Sequence, residues 1–181
     1  MFYVIWGVVI ALCVIADQIS KLLVVGNIAL NTGSVTVIPN VLEFIYVQNT
    51  GAAFGSLKGE GGRWIFMTFS TVAIIGVLIY LFWKKPKSRL LCASLALIVG
   101  GGIGNMIDRI ALKYVVDFIN FIALPKIWYF PFNIADSCVV VGSFMMIAWM
   151  IIDTVREFKL EKQKKLEAAN AEASEDNCEN E

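Results

Sequence analysis

The apolar residues of this chain are gathered in long runs, whereas in a soluble protein they alternate with polar residues at helical or strand periods. Four stretches each hold about 20 mostly hydrophobic residues, the length that an α-helix needs to cross a bilayer core of about 30 Å. They cover residues 2–25, 64–83, 90–107 and 131–152. The pattern predicts an α-helical integral membrane protein built as a four-transmembrane-helix bundle.

The links between the spans have a different character. Residues 34–55 are rich in β-branched and aromatic side chains around a turn signal at Pro39 and Asn40, which predicts a small β-sheet on the membrane surface. The glycine- and alanine-rich end of this segment predicts a turn that allows close backbone approach. The link at 118–128 predicts a loop or a short helix that lies along the same surface.

Basic residues orient the predicted spans. Lysine and arginine crowd the link at 84–89 and the stretch 156–165, and the positive-inside rule places both clusters in the cytoplasm. Both termini are then cytoplasmic, and the β-sheet and the loop are extracytoplasmic. Residues 1–156 are expected to form a single membrane domain. Residues 157–181 form a polar cytoplasmic tail that is helical at first and disordered from Ser174.

Composition narrows the classes of function. The chain is 58% hydrophobic with a mean hydropathy of +0.72, which is typical of a membrane protein. Four cysteines without paired spacing, and no histidine, argue against a disulfide framework and an ordinary zinc site, so we expect no metal and no cofactor. The first span lacks a basic leader region and a small-residue cleavage pattern, so we expect it to be retained.

Polar residues gather near the outer ends of the first and third spans. Asp17 and Lys21 are four residues apart and share a helical face. They form either a self-neutralising pair that snorkels to the interface or a part of an active site, and the pattern leaves both open. Asn105 shares a face with Asp108 and Arg109 after a run of glycines that permits close helix packing. No Walker lysine follows the glycines, which disfavours a phosphate-binding loop.

Two further carboxylates carry the predicted chemistry. The topology brings Asp117 and Asp136 to the same outer membrane level, and Asn133 lies three residues before Asp136 on a neighbouring helical position. Close carboxylates in a poorly hydrated site share one proton, so one can take a proton from water while the other gives one to a carbonyl oxygen. This arrangement predicts amide hydrolysis with neither a metal nor a covalent intermediate.

Three alternatives stay open on the pattern alone. A proton or cation carrier also uses buried acids, although its sites usually lie near the bilayer midplane. Carboxylates are suitable ligands for a divalent cation, and Asp108, Asp117 and Asp136 could together bind one. The polar residues could also belong to a structural or scaffold protein.

Five motifs, taken in order, resemble lipoprotein signal peptidase, also called signal peptidase II. They are DQISK at 17–21, NTGAAF at 49–54, GGIGNMIDR at 101–109, VVDF at 115–118 and FNIAD at 132–136. The resemblance covers nearly all of the chain up to the basic tail. It implies a hydrolase, an aspartic endopeptidase that cuts diacylglyceryl-modified prolipoproteins just before the lipidated cysteine.

The resemblance also implies roles for individual residues. Asp117 and Asp136 are the catalytic pair, a substrate-positioning shell consists of Asn49, Asn105, Arg109 and Asn133, and the structural polar residues are Asp17, Lys21 and Asp108. We expect a monomer in the bacterial plasma membrane with its active site at the extracytoplasmic face. Its expected partners are prolipoproteins, membrane lipid and globomycin-type inhibitors that occupy the pair, and not nucleic acid.

Overall fold

A computed structural model of the chain describes residues 2–50, 60–123 and 130–179. The elements follow in the order α1 (Phe2–Asn27), β1 (Ser34–Ile38), β2 (Leu42–Asn49), α2 (Glu60–Ile79), a π-helical turn (Tyr80–Lys84), α3 (Arg89–Ala111), β3 (Val115–Phe121) and α4 (Ile134–Glu179). The chain divides into two compact units, Met1–Met145 and Met146–Glu181. The first unit holds the sheet and the site described below, and the second is the C-terminal part of α4.

Within residues 2–50, 60–123 and 130–179, four helices are long and apolar enough to cross a membrane, and this confirms the predicted architecture. Their apolar stretches are Val4–Asn27, Met67–Lys84, Arg89–Ala111 and Ile134–Lys165. The stretch in α3 is 56% buried, whereas each of the other three is at most 17% buried. Helix α3 is therefore the central helix, and most of the surface of the other three faces outward.

Glycines in α3 bring the neighbouring helices unusually close. A Cβ atom on Gly101 would overlap the carbonyl oxygen of Ala135 in α4. A Cβ atom on Gly100 would lie 2.7 Å from the Cβ atom of Cys13 in α1. Because packing rather than water exclusion drives helix association in lipid, these missing side chains permit the contacts of α3 with both partners.

The three strands form one antiparallel sheet in the order β1-β2-β3. The turn between β1 and β2 contains Asn40 with a positive φ of 58°, a conformation that asparagine tolerates. The third strand corrects a prediction, because the expected surface loop from residue 118 is β-strand as far as Phe121. Strand β2 supplies the partner, with Gln48 opposite Val116, and this long-range pairing left no local signal.

One face of the sheet packs on the C-terminal end of α1. A buried cluster joins Val24 and Ile28 of α1 to Tyr46, Val116 and Phe118 of the sheet. The rings of Phe44 and Phe118 meet edge to face with their centroids 5.7 Å apart. Strand β3 is thus fixed by apolar burial on both sides of Asp117.

The C-terminal tail differs from its prediction, and two predicted segments lie outside the part of the chain that the structure describes. Helix α4 continues to Glu179, so the predicted disorder is wrong as far as that residue; the stretch 167–173 just before it is rich in alanine and glutamate, which favour helix. The glycine turn at 51–55 and the end of the predicted loop, residues 124–128, lie outside the described residues.

The close contact of α3 with α4 predicts a cost for a single added methyl group. Gly101→Ala should lower the free energy of unfolding by about 1–3 kcal/mol through overlap with Ala135. Gly76→Ala in α2, where no atom lies within 4 Å of the added carbon, should be neutral or stabilising. Thermal unfolding of both variants in the same detergent checks this, and equal melting temperatures would contradict the close packing.

Candidate active site

Two carboxylates from different elements line one cavity. Asp117 comes from the middle of β3 and Asp136 from the first turn of α4. Their cavity encloses about 390 Å³, and its other lining residues include Asn49 of β2 and, from α3, Asn105 and Arg109. The structure therefore brings both predicted carboxylates to a common space, together with members of the predicted polar shell.

Asn133 reaches the site as a helix cap. Its side-chain Oδ1 accepts the backbone N–H of Asp136 at 2.8 Å, while Asp136 Oδ2 accepts the backbone N–H of Asn133 at 3.3 Å. This reciprocal pair is a capping box, which satisfies N–H groups that the helix itself leaves without partners. The predicted neighbourhood of the two residues is thus present, but capping rather than a shared helical face produces it, because α4 begins only at Ile134.

Side-chain amides hold both carboxylates. Asn49 Nδ2 donates to Asp117 Oδ2 at 2.8 Å, and Asn133 Nδ2 donates to Asp117 Oδ1 at 2.8 Å. Asn105 Nδ2 donates to Asp136 Oδ1 at 2.7 Å. Since a carboxylate accepts and an NH₂ group donates, these contacts fix the orientation of each carboxyl group without neutralising its charge.

The electrostatics of Asp117 suit proton exchange near neutral pH. Asp117 is buried, with only 2% of its surface exposed. Burial first, and the charge of Asp136 second, raise the pKa of Asp117 to about 7, against the opposing effect of the hydrogen bonds from Asn49 and Asn133. Near pH 7 this carboxyl group is therefore available both with and without its proton.

Arg109 brings a positive charge to the cavity wall. Its Nη1 donates to the backbone carbonyl of Asn105 at 3.3 Å, which keeps the guanidinium on the face of α3 that lines the cavity. The charges of Asp136, Asp117 and Asp108 all act on it. The cavity thus contains a cation close to both of its carboxylates.

The three predicted structural residues form a buried cluster beside the cavity. Lys21 Nζ contacts Asp17 Oδ2 at 2.8 Å and Asp108 Oδ2 at 2.9 Å, and all three residues are at most 3% exposed. The interpretation of Asp17 and Lys21 as a snorkelling pair is therefore wrong. Burial against α3, and the second carboxylate that α3 supplies, keep the lysine from the interface.

This cluster extends by hydrogen bonds to the elements that carry the carboxylate pair. Asp17 Oδ1 accepts the backbone N–H of Ala135, next to Asp136, at 2.9 Å. Asp108 Oδ2 accepts the backbone N–H of Val116, next to Asp117, at 3.0 Å. Each structural carboxylate thus positions the residue that precedes a carboxylate of the cavity.

The sequence interpretation missed two contributors. Gln18 Nε2 donates to Asp17 Oδ2, the carbonyl oxygen of Gly104 and Asp108 Oδ1 at 3.2, 3.1 and 3.0 Å. Gly104 leaves room for the cluster, since its Cβ atom would lie 2.6 Å from Asp17 Oδ2. Their places within the DQISK and GGIGNMIDR motifs were the available signal.

The metal alternative finds little support in the position of Asp108. Both of its side-chain oxygens accept hydrogen bonds, from Gln18, Lys21 and the backbone of Val116. Within the described part of the chain, no group of three or more acidic or cysteine side chains is arranged to hold a metal ion. The neighbours of the carboxylate pair are the amides of Asn49, Asn105 and Asn133 and the guanidinium of Arg109.

An apolar wall faces the polar side of the cavity. It includes Phe130 and Pro131 before α4 and Val139 and Val140 within it. Val140 is 48% exposed on the outer surface of α4 as well as lining the cavity. The cavity wall is therefore continuous with helix surface that would face lipid.

Proton exchange between paired carboxylates inside a bundle of spanning helices is the chemistry of an aspartic-type membrane peptidase. Comparison with known proteins identifies which one: residues 9–152 match the family model described as signal peptidase (SPase) II. The chain belongs to the signal peptidase II family, the aspartic-type enzymes that remove signal peptides from prolipoproteins.

Relatives and solved structures agree with this assignment. The lipoprotein signal peptidase of Symbiobacterium thermophilum is 44% identical over 77% of this chain and 89% of its own length. That of Lactobacillus johnsonii is 42% identical over 80% of this chain and 90% of its own. A bacterial membrane enzyme solved by the in meso method at 2.3 Å is 28% identical, with a TM-score of 0.74 over 82% of this chain and 88% of that one.

The amide contact of Asn49 predicts the direction of a titration. Asn49→Ala removes a hydrogen bond that lowers the pKa of Asp117, so the pKa of this carboxyl group should rise further above its ordinary value. Gln48→Ala is the matched control, because Gln48 instead donates to the hydroxyl of Tyr46.

Infrared titration of the carboxyl band that is lost in Asp117→Asn measures this pKa directly. The band should disappear at higher pH in Asn49→Ala than in the wild type or in Gln48→Ala. A midpoint that is unchanged or lower would show that Asn49 does not stabilise the ionised form.

Proposed function

We propose that Asp117 and Asp136 are the catalytic pair of this peptidase, and that the substrate is a diacylglyceryl-modified prolipoprotein cut just before its lipidated cysteine. The observation that carries the proposal is the convergence of the two carboxylates on one cavity, each oriented by side-chain amides. The raised pKa of Asp117, about 7, keeps a proton available to the pair at neutral pH.

The pair carries out the reaction by moving protons. One carboxylate takes a proton from water as the water oxygen bonds to the scissile carbonyl carbon, and the other carboxyl group gives its proton to the carbonyl oxygen. The tetrahedral intermediate then collapses: the first carboxyl group gives its proton to the nitrogen, the C–N bond breaks, and the second takes a proton back from a hydroxyl group of the intermediate. No covalent enzyme intermediate and no metal is needed for this sequence.

The polar shell orients the pair and the substrate backbone. Asn49 and Asn133 hold Asp117, and Asn105 holds Asp136. Arg109 offers donors to a substrate carbonyl from the cavity wall. In enzymes, correct placement of the reacting groups by such contacts can lower the activation barrier by about 7–11 kcal/mol.

The substrate enters from the membrane. Both the signal peptide and the acyl chains of the modified cysteine are lipid-soluble, so they approach along exposed apolar helix surface. Val140 leads from the cavity to that surface, and Phe69 and Val72 of α2 are 73% and 66% exposed. Ser70, between those two residues, lines the cavity. This arrangement favours a lateral opening between α2 and α4.

The positive-inside rule supports the location of the enzyme. It favours cytoplasmic termini and an extracytoplasmic active site, and membership of the signal peptidase II family supports a bacterial plasma membrane location. We propose further that the enzyme is a monomer and that globomycin-type cyclic peptides inhibit it by occupying the pair.

Processing of a diacylglyceryl prolipoprotein by purified protein in lipid tests the proposal. Asp117→Asn and Asp136→Asn should each lower kcat by at least about 10²- to 10⁴-fold, the usual contribution of acid and base catalysis. Glu43→Gln, which removes a carboxylate of the same sheet that bonds Asn120, should retain activity.

Each alternative has its own result. A folded Asp117→Asn or Asp136→Asn protein with near wild-type turnover would overturn the proposal. Inhibition by chelators with recovery on adding a divalent cation would indicate a metal site. Ion flux into liposomes that contain no prolipoprotein, lost in the same variants, would indicate a carrier.

A further inference from the structure

The buried ammonium group of Lys21 has three acceptors, and one of them is uncharged. Besides Asp17 and Asp108, Lys21 Nζ donates to Asn105 Oδ1 at 3.0 Å. An ammonium group can only donate, so the oxygen end of the Asn105 side chain has to face Lys21. A second donor, Asn133 Nδ2, binds the same oxygen at 3.1 Å.

The contact between Lys21 and Asn105 determines which end of the Asn105 amide faces Asp136. With its oxygen turned to Lys21, Asn105 presents its NH₂ group to Asp136 Oδ1 at 2.7 Å. An NH₂ group favours an ionised carboxylate, which accepts, and the positive charge behind the amide polarises the N–H bond further. The amide on Asp117 Oδ1 differs, because the oxygen of Asn133 accepts a neutral backbone N–H.

We propose that Lys21 is a positioning residue that acts through Asn105 to keep Asp136 ionised, which makes Asp136 the base and Asp117 the acid of the pair. The inference rests on the proposed function and assigns the two roles within it. A proton passes from water to Asp136 as the water oxygen bonds to the carbonyl carbon, and the proton of Asp117 passes to the carbonyl oxygen. Asp136 then gives its proton to the nitrogen as the C–N bond breaks, and a hydroxyl group of the intermediate returns a proton to Asp117 as the new carboxyl group forms.

Other charged groups also face Asp136, and the test has to keep them constant. Among the described side chains, the charges that act on Asp136 are those of Lys21 from α1, Arg109 from α3 and Asp117 from β3, while Asp17 and Asp108 pair with Lys21. Arg109 is the second cation near Asp136. It stays in every variant below, so a change in the pH profile does not arise from its removal.

Lys21→Met together with Asp108→Asn is the variant that isolates the lysine. The double variant removes one cation and one carboxylate, so the net charge of the cluster does not change, and Asp17 keeps its hydrogen bonds from Gln18 and the backbone N–H of Ala135. Asp108→Asn alone is the matched control, because it keeps Lys21. The acid limb of the kcat profile in the double variant should lie about one pH unit above that of Asp108→Asn alone, because the ammonium group is missing. With Asp108→Asn alone it should stay or move to lower pH, since a negative charge has been removed.

Asn105→Ala provides a second route to the same answer. It leaves Lys21 both of its carboxylates, so the cluster stays paired, yet it interrupts the path from Lys21 to Asp136. Its acid limb should also move to higher pH, and adding Lys21→Met and Asp108→Asn should move it no further. Asn105→Ala alone already tests the last step of this path, since an unmoved acid limb in the folded variant would contradict a path from Lys21 to Asp136 through Asn105.

Two results would overturn the inference while leaving the proposed function intact. One is a uniform loss of activity at all pH values with an unchanged acid limb, which is the effect of a merely structural lysine. The other is an equal upward move in Asp108→Asn alone. Activity that survives in Asp117→Asn or Asp136→Asn would instead reject the catalytic pair itself.

Discussion

Helices α1, α3 and α4 and strand β3 meet at one buried ammonium group, because Lys21 has to be surrounded by acceptors where no water reaches it. Asp17 and Asp108 supply the charge, and they also accept backbone N–H groups from Ala135 and Val116. Removing one partner of a buried ion pair costs about 3–5 kcal/mol, so these elements cannot separate cheaply. The cluster thereby holds the residues next to Asp136 and Asp117 at fixed positions.

Close helix packing makes this arrangement possible. The Asp17 carboxylate occupies the space where a side chain on residue 104 would lie, and Gly101 lets the backbone of α4 approach α3. That approach places Asn105 within 2.7 Å of Asp136. Gly101 and Gly104 thus support the arrangement of the cavity as well as helix association, since an added carbon atom would meet the backbone of Ala135 at the first and the carboxylate of Asp17 at the second.

Much of this could be predicted from the sequence, because hydropathy, charge bias and motif order are local properties. The four spans followed from the lengths of the apolar runs, and the common level of Asp117 and Asp136 followed from the loop that leaves and returns on one side. Strand β3 could not be predicted, since its partner β2 is distant in sequence and Asp117 interrupts its apolar run. The burial of Lys21 was also hidden, because it depends on the second carboxylate that α3 supplies.

The central claim is that the two carboxylates act with one proton between them, and the pH dependence of kcat for the wild-type enzyme tests it most directly. With a diacylglyceryl prolipoprotein at saturating concentration in lipid, the account predicts a bell-shaped profile. Its alkaline limb should fall near the pKa of Asp117, about 7, since the acid must keep its proton. A rate that rises steadily to high pH, where both carboxylates are ionised, would contradict the shared proton.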